Sequence, residues 1–281
     1  MTDFETITVD QHRAVATITL RRPEAGNALN SPMRRELTAV FGSIADTARA
    51  VLLTGAGPRF CAGQDLGGAA NFKALDLESA LLDETLPLVQ QIAKCPRPVI
   101  CAVNGLAAGA GANLALACDI VIAAHSASFL QANVLAGMIP DTGGTYFLPR
   151  RVGVARAMAL SLTGEAVSAE QAADWGLIWK AVADDDLMEE ANALADRLAK
   201  GPADAHASIK QAIGVSLQNS LEDQVALEAR LQGELSKSRD FAEGVSAMMD
   251  GRPAEFDAAS GQSETPTKTS AKRKDSFSAL D

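Results

Sequence analysis

The residues best suited to do chemistry lie in two glycine-rich segments, Gly55-Ala-Gly57-Pro-Arg-Phe-Cys-Ala-Gly-Gln-Asp-Leu66 and Asn104-Gly-Leu-Ala-Ala-Gly-Ala-Gly-Ala-Asn113. Each follows an apolar run that reads as a buried strand, and the second opens a small-residue helix. Turns built from small residues leave main-chain N–H groups free, and the second adds the positive end of a helix dipole. If both converge on one oxygen they form an oxyanion hole, which stabilises charge developing on a carbonyl. Ala62, Gly63, Gly109, Ala110 and Gly111 carry so little side chain that a substrate could approach the backbone closely. The same glycines would also permit tight helix–sheet packing, and spacing alone leaves both readings open. Neither segment matches GxGxxG at the first βα turn with an acidic residue about twenty positions on, and there is no Walker sequence.

The elements that must position these loops are legible from hydrophobic periodicity. Ile7 and Val9, then Ala16, Ile18 and Leu20, alternate with polar residues across Asp10-Gln-His-Arg13, which predicts a hairpin. Ser31-Pro32 supplies an N-cap and a first-turn proline for an amphipathic helix over 32–48, with Met33, Leu37, Phe41 and Ile44 inward. Val51–Thr54, Pro98–Val103 and Asp119–Ala123 read as buried strands, and the run from Asn104-Gly105 to about Cys118 as a helix. The alternation is βαβ, hence α/β with a largely parallel sheet. From about Arg150 the pattern turns helical. Ser168-Ala-Glu-Gln171 and Ser220-Leu-Glu-Asp223 fit capping boxes, and Trp175 and Trp179 read as core. Residues 257–281 are rich in Ser, Thr, Lys and Ala and read as a disordered tail.

Composition narrows the partners. Among 281 residues, 35 acidic against 25 basic side chains give a net charge of −10, which argues against nucleic acid, as do aromatics at only 4%. The tail carries four acidic and four basic residues, so the negative excess belongs to residues 1–256. If the ligand is an anion, it must then be held by local features rather than by bulk charge. The N-terminus lacks a basic n-region and an apolar h-region, and the most apolar stretch, 105–118, is too short to span a membrane. Cys61, Cys95, Cys101 and Cys118 form no CxxC pair and no metal-type spacing, which fits reduced thiols in a cytoplasmic protein. His12, His125 and His206 are scattered and suggest no triad.

Three motifs in order, Phe60-Cys-Ala-Gly-Gln-Asp-Leu66, Pro98 to Asp119, and Gly137-Met-Ile-Pro-Asp-Thr-Gly-Gly-Thr145, closely resemble the crotonase (enoyl-CoA hydratase/isomerase) superfamily across about residues 4–256. The resemblance implies a spiral of ββα units over 1–200 that binds an acyl-CoA thioester. It implies a helical oligomerisation region over 201–256 as well, with a homotrimer or hexamer as the assembly. Coenzyme A enters only as part of the substrate; no metal or other cofactor is implied. The oxyanion donors carry over to the backbone N–H groups of Gln64 and Ala110, the latter where the family usually has glycine. Ala25, Ala28, Ala62, Gly63, Asp65, Leu66, Gly109, Asn113 and Asn133 fall along the implied substrate-binding surface. Asp65 there reads as the cap of the following helix, not as a catalytic group.

The chain departs from the family's hydratases at the carboxylates. The positions matching their two glutamates hold Asn113 and Asn133, and an amide is neither a general base nor a general acid near neutral pH. Asp141 stands where several isomerase members place their catalytic aspartate, although an aspartate before Thr142-Gly143-Gly144 could also simply cap a turn. Within the superfamily the chain is most similar to the isomerases of aerobic phenylacetate breakdown, at 55–66, 139–150, 172–179 and Phe241-Ala-Glu-Gly-Val-Ser246. That similarity implies conversion of a ring-1,2-epoxide of phenylacetyl-CoA to its oxepin form, and Δ3-to-Δ2 enoyl-CoA isomerisation. The alternatives are a hydratase or thioester hydrolase using water held by Asn113 and Asn133, and a catalytically silent acyl-CoA-binding subunit.

Overall fold

The computed structural model describes residues 4–67 and 76–256; the expectation of a disordered tail over 257–281 lies outside the described residues. The N-terminal alternation closes as a hairpin. β1 (Ile7–His12) and β2 (Val15–Leu20) pair antiparallel, with Ile7 opposite Leu20. Every later strand of this sheet joins in parallel: β3 (Ala50–Gly55) beside β2, β5 (Val99–Val103) beside β3, β7 (Ile120–Ala124) beside β5 and β10 (Lys180–Val182) beside β7. The continuous apolar runs of β3 and β5 are buried, as strands covered on both faces require.

A second sheet holds four short strands in the order β4 (Arg59–Cys61), β6 (Leu106–Ala108), β8 (Ser128–Leu130) and β9 (Ala166–Ser168). The chain visits the two sheets alternately, β3 then β4, β5 then β6, β7 then β8, and helical segments lead it onward each time. The first is α2 (Leu77–Ala80), which runs through a π-helical stretch, Leu81–Thr85, into α3 (Leu86–Lys94). The next two are α4 (Ala110–Ala117) and α5 (Gly144–Thr163). This is the expected spiral of ββα units. Its turns stack backbone on backbone: a Cβ on Gly105 would lie 2.1 Å from the Pro58 carbonyl oxygen, so only glycine fits there. Asn104 laces the same two turns, accepting from the Gly55 N–H at 3.1 Å and donating to the Gly57 carbonyl at 2.8 Å.

Several expectations shift. The first helix, α1, spans Ser31–Ser43 and is capped by Asn30, not Ser31; the Asn30 Oδ1 accepts from the Met33 N–H at 3.0 Å. A separate 3-10 turn, Ile44–Asp46, follows it. The run after Asn104-Gly105 begins as β6, and helix α4 starts only at Ala110. The C-terminal part is not purely helical, because β9 and β10 interleave with α6 (Ala169–Asp174) before α7 (Leu187–Ala199). Ser168 and Ser220 cap α6 and α9 (Leu221–Leu235) as expected, and α8 (Ala203–Val215) and α10 (Arg239–Asp250) complete the set. Trp175 is half-buried, but Trp179 is 53% exposed and so is not core.

Candidate active site

Because β4, β6 and β8 run parallel to one another, their carboxyl ends share one side of the small sheet. The segments leaving those ends are residues 62–67, Gly109-Ala110 and Gln131–Asn133. Leu29 bridges the first: its N–H donates to the Gly63 carbonyl at 2.8 Å, and its carbonyl accepts from the Asp65 N–H at 3.1 Å. A parallel bridge bonds through the residues flanking its partner, so the Gln64 N–H faces the other way. Gly63 has φ +105°, and a Cβ there would sit 2.9 Å from the Ala108 carbonyl oxygen and 3.7 Å from the Ala110 nitrogen. Ala110 is the first residue of α4, where an N–H has no intrahelical acceptor. Gly111 serves packing, since its Cβ would fall 2.3 Å from the Cys61 carbonyl oxygen. The tight packing that spacing allowed is present, and the Gln64 and Ala110 N–H groups lie in the same pair of loops. A carbonyl oxygen reaching both N–H groups would be polarised by them and by the helix dipole. Burial pushes the neighbouring Cys61 thiol up to about 12, which leaves it inert as a nucleophile.

The acidic residue enters from the loop before α5. Asp141 is half-buried and begins a turn in which Thr142 (φ +52°) and Gly143 (φ +79°) are both left-handed. That conformation is strained for a β-branched residue. The turn is held from below. The Asp141 carbonyl accepts from the Gly144 N–H at 2.7 Å and from Asn113 Nδ2 at 2.9 Å. A Cβ on Gly144 would lie 2.4 Å from that Asn113 nitrogen, so glycine is what lets the two approach. Asn113 is fully buried, and Gln131 satisfies its other bonds, 2.9 Å to Oδ1 and 3.3 Å to Nδ2. A carboxylate at 113 would have no donor for the Asp141 carbonyl. Above the turn, Asp141 Oδ2 accepts from Gln64 Nε2 and Oδ1 from the Thr142 hydroxyl, each at 3.2 Å.

The two asparagines expected at the glutamate positions are therefore unlike each other. Asn113 faces the Asp141 turn with both amide atoms engaged. Asn133, 8% exposed, has an Oδ1 that makes no hydrogen bond among the described residues and would lie 3.1 Å from a Cβ on Gly109.

Ala25 and Ala28 border the 62–67 loop, where the Ala62 N–H donates to the Gly26 carbonyl at 2.9 Å. Ala25, Ala62 and Leu66 are half-buried, and Ala28 is buried. Asp65 Oδ1 accepts from the Gly67 N–H at 3.0 Å, and its Oδ2 pairs with Arg22 at 2.9 Å. The Gly67 bond, then the Arg22 guanidinium, hold its carboxyl below the usual range despite some burial. The helix that Asp65 was expected to cap would begin outside the described residues. Arg22 also donates to the Ala28 carbonyl at 2.7 Å, so it is engaged within the fold; the exposed Arg21 reaches the Phe4 carbonyl at 3.3 Å. The residues that sequence reasoning missed are Arg34, Glu84 and Gln131. One signal pointed to Arg34: it falls on the apolar stripe of α1, three residues before Leu37 and seven before Phe41. No group of three or more His, Cys, Asp or Glu side chains among the described residues could hold a metal, and no described helix is long and apolar enough to cross a membrane.

A model of the enoyl-CoA hydratase/isomerase family matches residues 10–259. A Rhodobacter capsulatus protein named as a probable enoyl-CoA hydratase is 53% identical over 253 residues, covering 90% of this chain and 98% of that protein. The 1,2-epoxyphenylacetyl-CoA isomerase of Escherichia coli strain K12 is 48% identical over 249 residues, covering 87% and 95%. Among solved structures, the enoyl-CoA hydratase of Bacillus anthracis superposes with a TM-score of 0.86 at 33% identity, covering 92% of this chain and all of that one. With the spiral, the paired glycine loops and the Asp141 turn all in place, the chain belongs to the enoyl-CoA hydratase/isomerase family of the crotonase superfamily.

Proposed function

We propose that the chain is an acyl-CoA isomerase in which Asp141 moves a proton while the N–H groups of Gln64 and Ala110 hold the thioester oxygen. The observation that carries this reading is the fate of the carboxylates. Both glutamate positions of the hydratases are amides here, Asn113 is already bonded on both atoms, and Asp141 is tied directly to the Gln64 side chain. In the proposed cycle the Asp141 carboxylate removes a proton made acidic by the thioester. The enolate oxygen collects the two N–H bonds, and the protonated Asp141 returns the proton at a different carbon. The proton is conserved, so no water, metal or redox partner is consumed. Δ3-to-Δ2 enoyl-CoA isomerisation fits directly. The 48% identity to the Escherichia coli enzyme supports a ring-1,2-epoxide of phenylacetyl-CoA, going to the oxepin form, as the physiological substrate. Four free, buried cysteines support a cytoplasmic setting. Exposed Ile213, Leu217 and Leu221, around the end of α8 and the start of α9, support self-association, and the family resemblance supports a homotrimer or hexamer as its form.

Asp141→Asn is expected to lower turnover of a 3-enoyl-CoA by on the order of 10³-fold or more while thioester binding persists. Retained turnover would overturn the assignment. A second reading, hydration or thioester hydrolysis, is favoured by the Rhodobacter relative's name and by the unbonded Asn133 Oδ1. Incubation of crotonyl-CoA in ¹⁸O-labelled water separates the two, because only addition chemistry carries the label into product. A silent binding subunit would fail to exchange substrate α-protons with deuterated solvent.

A further inference from the structure

The geometry points to Arg34 as a positioning residue that acts on the Asp141 carboxylate through the side chain of Gln64. This inference rests on the isomerase reading above and deepens it. Arg34 is 8% exposed and bonded on every side: Nη1 to the Leu29 carbonyl at 2.8 Å and to Gln64 Oε1 at 2.9 Å, Nε and Nη2 to Glu84 Oε2 at 2.9 and 2.8 Å. Glu84 is itself gripped by the Ser31 hydroxyl and by Arg35. Burial works against its charge, yet the Ser31 hydroxyl and the Arg34 guanidinium outweigh that and keep it below the usual carboxylate range.

Arginine has donors and no acceptor, so the Gln64 atom facing Arg34 must be the oxygen. That fixes the amide and turns Nε2 toward Asp141 Oδ2 at 3.2 Å. A glutamine without such an anchor samples several rotamers and could present either end. The consequence concerns which oxygen of Asp141 exchanges the proton. Nε2 can donate to Oδ2 whether Asp141 is a carboxylate or an acid, but it cannot take a proton from it. The remaining oxygen, Oδ1, faces the Thr142 hydroxyl, which can donate to the carboxylate or accept from the acid. The relay therefore assigns the travelling proton to Oδ1 and keeps Oδ2 as the fixed point. The same Gln64 contributes its backbone N–H to the proposed oxyanion site, so one residue sets the spacing between the base and the thioester oxygen.

The test is a double-mutant cycle on kcat and KM for 3-enoyl-CoA isomerisation, using Arg34→Met, Gln64→Leu and the pair. Gln64→Leu keeps the main-chain N–H and leaves the Arg34–Glu84 pair intact. Each single change is expected to lower kcat by roughly 10- to 100-fold with KM shifted less than about threefold. The double variant should lose little more than Gln64→Leu alone, because Arg34 then has nothing to act through. Gln64→Glu gives a check that does not depend on Arg34→Met folding. It keeps an oxygen on Arg34 but turns a second oxygen toward Asp141, and kcat should fall below that of Gln64→Leu. Losses that multiply across the cycle, a Gln64→Leu kcat within about twofold of wild type, or a Gln64→Glu enzyme as active as Gln64→Leu would each overturn the relay. Asp141→Asn run alongside keeps the failures apart. Turnover in that variant removes the base itself, whereas a dead Asp141→Asn beside an active Gln64→Leu removes only the relay.

Discussion

Strands β3 and β5 of the larger sheet are six and five residues long and buried throughout apart from Gly55, whereas β4, β6 and β8 of the smaller sheet have three residues each. Apart from Thr54 and Gly55, the two long strands are runs of Val, Leu, Ile, Cys and Ala, each large buried side chain contributing about 1.5–3 kcal/mol. The short strands bury fewer residues each, chiefly Phe60, Cys61, Ala107 and Phe129. They act as pegs that bring three loop starts to one side, and the order of those loops comes from polar bonds: Gln64 to Asp141, Asn113 to the Asp141 carbonyl, Gln131 to Asn113. Within one spiral, the longer buried runs thus lie in one sheet and the proposed chemistry at the ends of the other, where the ends of parallel strands commonly host ligands.

This division can be broken from either side. Leu52 in β3 is fully buried, and Leu52→Ala is expected to destabilise by about 2–5 kcal/mol in urea unfolding, while kcat per folded molecule stays within about twofold of wild type. A matching loss of kcat would mean the sheets are not separable. Asn113→Leu is the opposite probe. It strips partners from the Gln131 amide and the Asp141 carbonyl, at a cost of about 1–3 kcal/mol, and frees the turn beneath the proposed base. Turnover should fall on the order of 10²-fold, out of proportion to the lost stability. An unfolding deficit with undiminished turnover would make Asn113 merely structural.

What sequence alone could reach follows the same division. The β3 and β5 runs, the hairpin and the Ser168 and Ser220 caps are local patterns, and each reads correctly from neighbours in the chain. The strand β6 is invisible because Leu-Ala-Ala shows no period that separates strand from helix. The α1 cap goes to Asn30 because its extended backbone lets the side chain reach Met33, a choice that Ser31 beside it disguises. The Asp141 position was legible only through family resemblance, and its bonds to Gln64 and Asn113 span 77 and 28 positions, beyond any local pattern. Arg34 was legible only as an oddity, a guanidinium on an apolar stripe, with nothing in the sequence to name Gln64 as its target.

The smallest expected effect concerns charge in the loop at the end of β4. Asp65 titrates below the usual carboxylate range when folded, so the unfolded chain binds its proton more tightly. The stability it contributes is complete above about pH 5 and drains away as the pH falls through the lowered folded value. Its side chain is 26% exposed, which limits the contribution to within about 1 kcal/mol. Asp65→Asn keeps an oxygen for the Gly67 N–H but removes the charge opposite Arg22. Urea unfolding of both proteins should therefore differ by a few tenths of a kcal/mol to about 1 kcal/mol at pH 6.5, and the gap should narrow as the pH is lowered from about 5 toward 3. Added salt should narrow the gap at pH 6.5 as well, since a partly exposed pair is partly screened. A gap that holds constant from pH 6.5 to 3 would show that Asp65 orders the loop through the shape of its turn alone. The loops of the small sheet would then be set by main-chain geometry rather than by the polar and charged bonds that distinguish them from the apolar large sheet.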